Sequence, residues 1–313
     1  MYVISVIIPN WNGARFIRGV LDSLAAQTYP NYEVIVVDNA STDESVALIA
    51  REYPWVRQVL LDENRGLTGG VNAGIAVARG EIIALLNNDA EADPTWLAEL
   101  ARALEEHPEA GAAASKMLLY DRRDVLNSAG DFYTVAGEPG NRGVWERDEG
   151  QYDEGGYVFS GCGGAVAYRR AMLAHIGLFD EDLFMYCEDV DLGWRAQLAG
   201  YKTIFVPQAR VYHRLSATGG GVIASYYCGR NFIHVLIKDV PGFIWRRYWP
   251  RILAAQLRHT WESGRHFREP AARARLRGQL AALFHLPRLL RQRRVVQATR
   301  TVSDEYIESI LQP

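Results

Sequence analysis

The sequence predicts an α/β fold, a mostly parallel central sheet flanked by helices, with a C-terminal helical extension. Three observations carry this prediction. Over the first 120 residues, short β-branched runs alternate with amphipathic helical patterns, as expected for strands joined by crossover helices. Amide and acidic residues cluster just after the strand-like runs, where ligands bind in such sheets. From about Val222 onward the pattern is helical and carries no strand signal.

The elements follow in order. Residues 3–8 read as a first strand, after which Phe16, Ile17, Val20, Leu21 and Leu24 recur at helical spacing. Residues 32–37 form a second strand, followed by a helix opening near Asp43, and residues 56–61 a third, followed by a helix over 71–79. Residues 82–86 make the fourth strand, and Asp93 with Pro94 caps and opens a helix that ends near His107. Residues 120–158 are rich in Gly, Asp, Arg and Glu with weak periodicity, which predicts an irregular or hairpin-like excursion. Order returns at 157–168, and a helix over 189–198 closes at Gly200, a favourable C-cap. Two short strands are expected at 203–206 and 210–213, then a flexible loop at 216–221. The boundary divides a catalytic domain, 1–221, from a basic amphipathic helical extension, 222–313.

Composition narrows the class. The 313 residues are 49% hydrophobic and 23% charged, ordinary for a globular chain with a sizeable core. Cys162, Cys187 and Cys228 have neither paired nor metal-ligand spacing, which suits a reduced, cytoplasmic setting. The first residues lack the basic and apolar regions of a signal peptide, and no apolar run reaches the ~18–20 residues of a bilayer span. Charge is distributed unevenly. Residues 230–300 hold 16 Lys/Arg against 3 Asp/Glu, a net of +13, whereas residues 1–229 sum to −13. The basic residues are nearly all arginine and sit among Trp245, Tyr248, Trp249 and Trp261. That combination suits an anionic membrane surface better than nucleic acid. The expected location is therefore peripheral, at the inner face of the plasma membrane.

Chemistry is concentrated in five segments. Pro9 to Gly13 follows the first strand, and Asp38 to Asp43 the second; both read as turns with N-caps, or as a nucleoside pocket in which Asp38 accepts the imide N–H of uracil or thymine. The run Asn64-Arg65-Gly66-Leu67-Thr68-Gly69-Gly70-Val71-Asn72 follows the third strand and allows close backbone approach with a helix N-terminus for phosphate. It matches neither a dinucleotide fingerprint nor a P-loop. The fourth strand ends in Asn87-Asn88-Asp89, where Asp89 is placed to bind Mg²⁺ or Mn²⁺, with Glu91 nearby. Glu188-Asp189-Val190-Asp191 is the sharpest acidic cluster; its acids also suit a helix N-terminus, and Asp191 can pair with Arg195. His213 ends a short strand, where a lone histidine is either structural or a ligand.

These segments, in this order, resemble glycosyltransferase family 2, the inverting family with a GT-A fold, and in particular its bacterial rhamnosyltransferase-like members. The resemblance covers roughly residues 3–240. It implies that Pro9, Asn12 and Asp38 line the nucleoside pocket, and that Asn64, Gly70 and Asn72 belong to the ribose–phosphate loop. It also implies that Asn88 and Asp89 lie in the metal motif, that His213 completes metal coordination, and that Gly161 opens the loop beside the donor sugar. Asp189, beside Glu188, takes the place of the catalytic base. The sequence departs from the family's D-x-D pattern, because Asn87 stands where the first acid is expected. The implied reaction moves a sugar from a UDP- or dTDP-sugar, with a divalent metal, onto a hydroxyl of a lipid-linked or other cell-envelope saccharide. Two other readings compete. A nucleotidyltransferase needs a basic Gly-rich loop after the first strand, which Asn10 to Gly13 does not supply. A non-catalytic sugar-nucleotide sensor or membrane adaptor with the same fold would not need both Asp89 and Asp189.

Overall fold

The structure, a computed structural model, describes residues 1–214 and 220–313. Strands β1 (Ile4–Asn10), β2 (Tyr32–Asp38), β3 (Arg57–Leu60) and β4 (Ile82–Leu86) alternate with helices α1 (Ile17–Ala25), α2 (Ser45–Glu52) and α3 (Gly66–Val77). The four strands pair in parallel, in the order β4-β1-β2-β3. β1 and β4 are buried almost throughout, as expected for strands covered on both faces. Then follow β5 (Ala90–Ala92), α4 (Trp96–Glu106), β6 (Ala110–Leu119), β7 (Arg122–Ser128) and the hairpin of β8 (Asp131–Tyr133) and β9 (Pro139–Asn141). After β10 (Gly156–Val158) come β11 (Ala165–Arg169), α5 (Arg170–Ile176), α6 (Glu188–Leu198) and β12 (Lys202–His213). The sheet reads β10-β12-β6-β11-β4-β1-β2-β3, with β11 antiparallel to both neighbours and β12 parallel to β6.

Three sequence expectations need correction. β6 was not predicted, although all ten of its residues are buried at the centre of the sheet. Its Ala-Gly-Ala-Ala-Ala start lacks β-branched residues and, being covered on both faces, shows no alternation. The two short strands expected at 203–206 and 210–213 are one strand, β12, whose register on β6 shifts between Val206 and Arg210. Pro207 lies in that gap and has no N–H for the ladder. The glycine-rich run is helix rather than loop, since α3 begins at Gly66 instead of near Val71. A Cβ on Gly74 would lie 2.6 Å from Ile7, so the missing side chain lets α3 settle directly on the sheet. Asp93 does serve near the start of α4, with its carboxylate accepting the Thr95 N–H at 3.2 Å. The loop expected at 216–221 lies mostly outside the described residues, and Gly221 already belongs to a helix.

Among the described residues after β12 the chain is helical: α7 (Gly221–Lys238), α8 (Gly242–Arg265), α9 (Pro270–Phe284), α10 (Leu286–Ala298) and α11 (Asp304–Ser309). These helices share a core with the back of α6. Trp194 of α6, fully buried, meets Tyr133 and Phe159 edge-on at 5.0 and 5.1 Å, and Val235, Leu236, Ile244 and Ile307 join the same cluster. Trp245 also packs there and donates its indole N–H to the Leu236 carbonyl at 3.2 Å, so it is not a surface anchor. Helices α7 and α9 cross backbone to backbone. A Cβ on Gly278 would lie 2.1 Å from the Tyr226 carbonyl oxygen, and one on Gly229 would lie 2.5 Å from that of Arg275. Gly278→Val is expected to destabilise the protein by about 1–3 kcal/mol through forced separation of these helices. Gly264→Ala, where an added methyl meets nothing within 4 Å, is expected not to. Thermal melts of the two variants check the contrast.

Candidate active site

β1, β2 and β4 run parallel, so their carboxyl ends and the loops that follow lie at one edge of the sheet. A cleft of about 640 Å³ opens there, a size suited to a nucleotide sugar. Pro9, Asn10, Trp11, Asn39 and Asn64 line one side, and Asn87, Asn88 and Asp89 lie between. The segment 184–190 and Ile223, Tyr227 and Phe232 of α7 close the other side.

An amide relay organises the strand ends. Asn88 donates to Asn10 Oδ1 at 2.9 Å, and Asn10 donates to Asp38 Oδ1 at 2.9 Å. The second Asp38 oxygen accepts the Ser41 N–H at 2.9 Å. Asn12, with φ of 52°, accepts the Thr42 N–H at 2.8 Å and ties the β1 loop to the β2 loop.

On the neighbouring side, His213 Nε2 lies 3.2 Å from Asp89 Oδ1. His213 Nδ1 lies 2.8 Å from Asn127 Oδ1, so Nδ1 carries the proton and donates. That tautomer turns the bare Nε2 toward a carboxylate oxygen, an arrangement that a shared cation or proton stabilises. Glu91 plays no part, because it pairs with Arg214 at 3.1 Å and packs against Gly19.

The third group is acidic. Asp189 Oδ2 accepts the Gly163 N–H at 2.8 Å, and Oδ1 accepts the Val190 N–H at 2.8 Å. Burial raises the Asp189 carboxyl, and these N–H groups oppose the rise. Burial and the charge of Asp189 push Glu188 well above the ordinary carboxylate range, and the same two causes raise Asp131. Of the three, only Asp189 accepts two backbone N–H bonds, which favour its ionised form, while burial and the Asp189 charge disfavour ionisation of Glu188 and Asp131.

The backbone before this cluster is strained. Phe184, Tyr186 and Cys187 have φ of 64°, 66° and 66°, left-handed values that cost a non-glycine residue roughly 1–3 kcal/mol each. Two features hold it. Gly66 gives room, since a Cβ there would lie 2.4 Å from the Phe184 carbonyl oxygen. The buried Asn231 of α7 donates its amide to the carbonyls of Leu183, Met185 and Tyr186 at 3.0, 2.9 and 2.7 Å.

Of the residues singled out in the sequence, Pro9, Asn64, Asn88, Asp89, Glu188, Asp189 and His213 line the cleft. Asn12, Asp38, Gly70, Asn72 and Gly161 do not. Gly70 lies within α3, where a Cβ would meet the Asn39 side chain at 2.6 Å. Asn72 donates to the Phe179 carbonyl at 2.9 Å and joins α3 to the segment before α6. Gly161 packs on Val166 and Ala114, leaving Cys162, Gly163 and Gly164 to face the cleft. Sequence reasoning missed Asn127 and Asp131, both from the stretch expected to be irregular, and Asn231. No motif marks any of them, because each is brought to its place by pairing distant in sequence.

The family model described as Glycosyl transferase family 2 matches residues 5–177, more than half of the chain. The chain belongs to glycosyl transferase family 2. The chain is 28% identical over 270 residues to the N-acetylglucosaminyl-diphospho-decaprenol L-rhamnosyltransferase of Mycobacterium tuberculosis, covering 78% of this chain and 87% of that one. It is 31% identical over 229 residues to the O-antigen biosynthesis protein RfbC of Myxococcus xanthus, covering 69% of this chain and 17% of that protein. A Sinorhizobium fredii protein is 30% identical over 242 residues, covering 70% of this chain and 25% of its own. The chain thus spans a quarter or less of the length of these last two relatives. Among solved structures, the mannosyltransferase PcManGT from Pyrobaculum calidifontis, in complex with GDP-Man and Mn²⁺, superposes with a TM-score of 0.57 at 20% identity. That match covers 99% of this chain and 84% of the other. S. aureus TarS (residues 1–349) in complex with UDP gives 0.55 at 20% identity, over 95% and 90% of the two chains. The chain has the GT-A fold.

Proposed function

We propose that the cleft transfers a sugar from a UDP- or dTDP-linked donor to a hydroxyl of a lipid-linked or other cell-envelope saccharide, inverting the anomeric centre. One observation carries the reading: Asp189, held by the Gly163 N–H, and the Asp89–His213 pair line the same cleft. The names of two relatives, an L-rhamnosyltransferase of a diphospho-decaprenol acceptor and an O-antigen biosynthesis protein, support an envelope acceptor. Inner-face, peripheral placement follows from such an acceptor. Among the described residues no helix is long and apolar enough to cross a membrane.

Asp189 takes the proton of the acceptor hydroxyl while that oxygen bonds to the anomeric carbon and the bond from that carbon to the diphosphate breaks. The nucleoside diphosphate leaves with the electron pair. Burial and the neighbouring Asp189 charge favour the neutral form of Glu188, which limits like charge beside the base. Asp89 and His213 fit a divalent ion, Mg²⁺ or Mn²⁺, as one carboxylate oxygen and one imidazole nitrogen fixed from behind by Asn127. Such an ion supplies positive charge to the diphosphate leaving group. Among the described residues no group of three or more His, Cys, Asp or Glu could hold a metal. Pro9, Asn64 and Asn88 face the donor, and Asp38, Asn12, Gly70, Asn72 and Gly161 shape that wall from behind.

Transfer assayed with UDP- and dTDP-sugars, with Mg²⁺ or Mn²⁺ and with EDTA, tests the reading. Turnover is expected only with the ion, and Asp89→Ala is expected to lose it even in excess metal; full activity in EDTA overturns the metal assignment. Asn127→Ala, which frees the imidazole to rotate, is expected to weaken Mn²⁺ affinity by roughly 10–100-fold. Metal titration monitored by thermal shift measures it without turnover.

A further inference from the structure

We propose that the exposed face of α8 docks the protein on an anionic lipid bilayer. Trp249, Leu253, Leu257 and Trp261 recur at every fourth residue along α8, so they form one stripe on one side of the helix. All four are solvent-facing, at 57%, 48%, 58% and 60% exposure. A continuous apolar stripe of this kind on a helix that no neighbour covers marks an interaction surface. The adjoining helix extends it: Thr260 of α8 bonds Gln279 of α9 at 3.3 Å, and Leu280 and Leu283 beside Gln279 are each 58% exposed.

Charge decides the occupant. Part of the basic surplus of residues 230–300 is neutralised by carboxylates of the same chain: Lys238 pairs with Asp191 in the interior, and Arg258 with Glu138, Arg247 with Glu308 and Arg288 with Asp182 nearer the surface. The arginines at the two ends of the stripe are different. Arg246, three residues before Trp249, and Arg265, four after Trp261, lie on its side of the helix, and among the described residues neither has a carboxylate within salt-bridge distance. Instead Arg265 lies over the Trp261 ring at 4.6 Å. Arginine stacked on an exposed indole places its guanidinium at the height where lipid phosphates lie when the ring enters the interface. A second copy of this chain would instead bring the same uncompensated positive charge against itself.

The full-length protein is floated with phosphatidylcholine vesicles and with vesicles containing 30% phosphatidylglycerol, at low and high salt. Binding is expected to the anionic vesicles only, and to fall with salt. Replacing Arg246 and Arg265 with glutamine is expected to lower partitioning about fivefold per arginine. Trp249→Ser with Trp261→Ser is expected to lower it by more than about tenfold. Trp55→Ser, also exposed but on the α2–β3 loop, is expected to leave it unchanged. Thermal melts matching the parent protein establish that the surface variants fold. Failure to bind anionic vesicles at low salt overturns the proposal, as does binding insensitive to lipid charge. A dimer in sedimentation that the tryptophan pair abolishes, without vesicle binding, also overturns it. Vesicle binding is read without turnover, so its failure is separate from failure of the base or metal assignment.

Discussion

Asp189→Asn is expected to bind donor as the parent enzyme does and to turn over roughly 10²–10⁴-fold more slowly, the usual worth of a general base. The substitution is nearly isosteric, and its amide oxygen can still accept the Gly163 N–H across to the loop, while the local bond from the Val190 N–H is given up. What is lost is the capacity to take a proton. The pH profile gives an independent check. A base works when ionised, so turnover falls as pH drops through its pKa, and burial moves that limb above the value of about 4 of a free aspartate. Burial and the Asp189 charge push the Glu188 carboxyl toward its neutral form, so Glu188→Gln is expected to keep most of the turnover. Transfer rates measured against pH for both variants decide the assignment. A near-parental rate for Asp189→Asn would move the base to another group.

The second large effect is on stability. Asp191 is fully buried, accepts from Arg195 at 2.8 and 3.0 Å and pairs with Lys238 of α7. Burial alone would raise its carboxyl, but the Lys238 ammonium and the Arg195 guanidinium hold it well below the usual range. Asp191→Asn leaves both cations buried without this counter-charge and is expected to cost about 3–5 kcal/mol. Against a typical total of about 5–15 kcal/mol, that is a large fraction. Because the folded pKa is depressed, the contribution is present above the ordinary aspartate range and is lost as pH falls through the folded value. Lys238 is raised and contributes in the opposite sense, so the pair holds through neutral pH and weakens at both extremes. Urea titrations of Asp191→Asn at pH 7 and at acid pH check the size and the sign. Asp191→Leu combined with Lys238→Met is expected to recover part of the loss, since burying neither charge avoids the desolvation cost.

How much was legible in the sequence depended on how local the information was. β1, β2, β4 and the helices between them are written in contiguous periodicity, and Asp89, Glu188, Asp189 and His213 stand at strand or helix ends that the same pattern locates. The Asp191–Arg195 pair is likewise a four-residue spacing on one helix. β6 escaped because an alanine-rich strand buried on both faces has no local signature. Asn127 and Asp131 escaped because they matter only once β7 and β8 are folded against the cleft. The glycines of α3 were readable as close approach, but whether they approach a phosphate or the sheet depends on what lies opposite, and Ile7 lies opposite Gly74. Tryptophan content marked 230–300 as special without separating Trp245, which is packed inside, from Trp249 and Trp261, which are not.

The Asn231 clamp has a consequence for recombining these enzymes. One amide on α7 fixes three carbonyls of the segment that presents Glu188 and Asp189, and α7 also contributes Ile223, Tyr227 and Phe232 to the cleft. A chimaera with its crossover between α6 and α7 would inherit the acids from one parent and their brace from another. Acceptor preference and catalytic competence would then be scrambled together. The unit that can be exchanged intact is therefore discontinuous: residues 183–189 must travel with 223–232, whatever is done with the sheet strand between them.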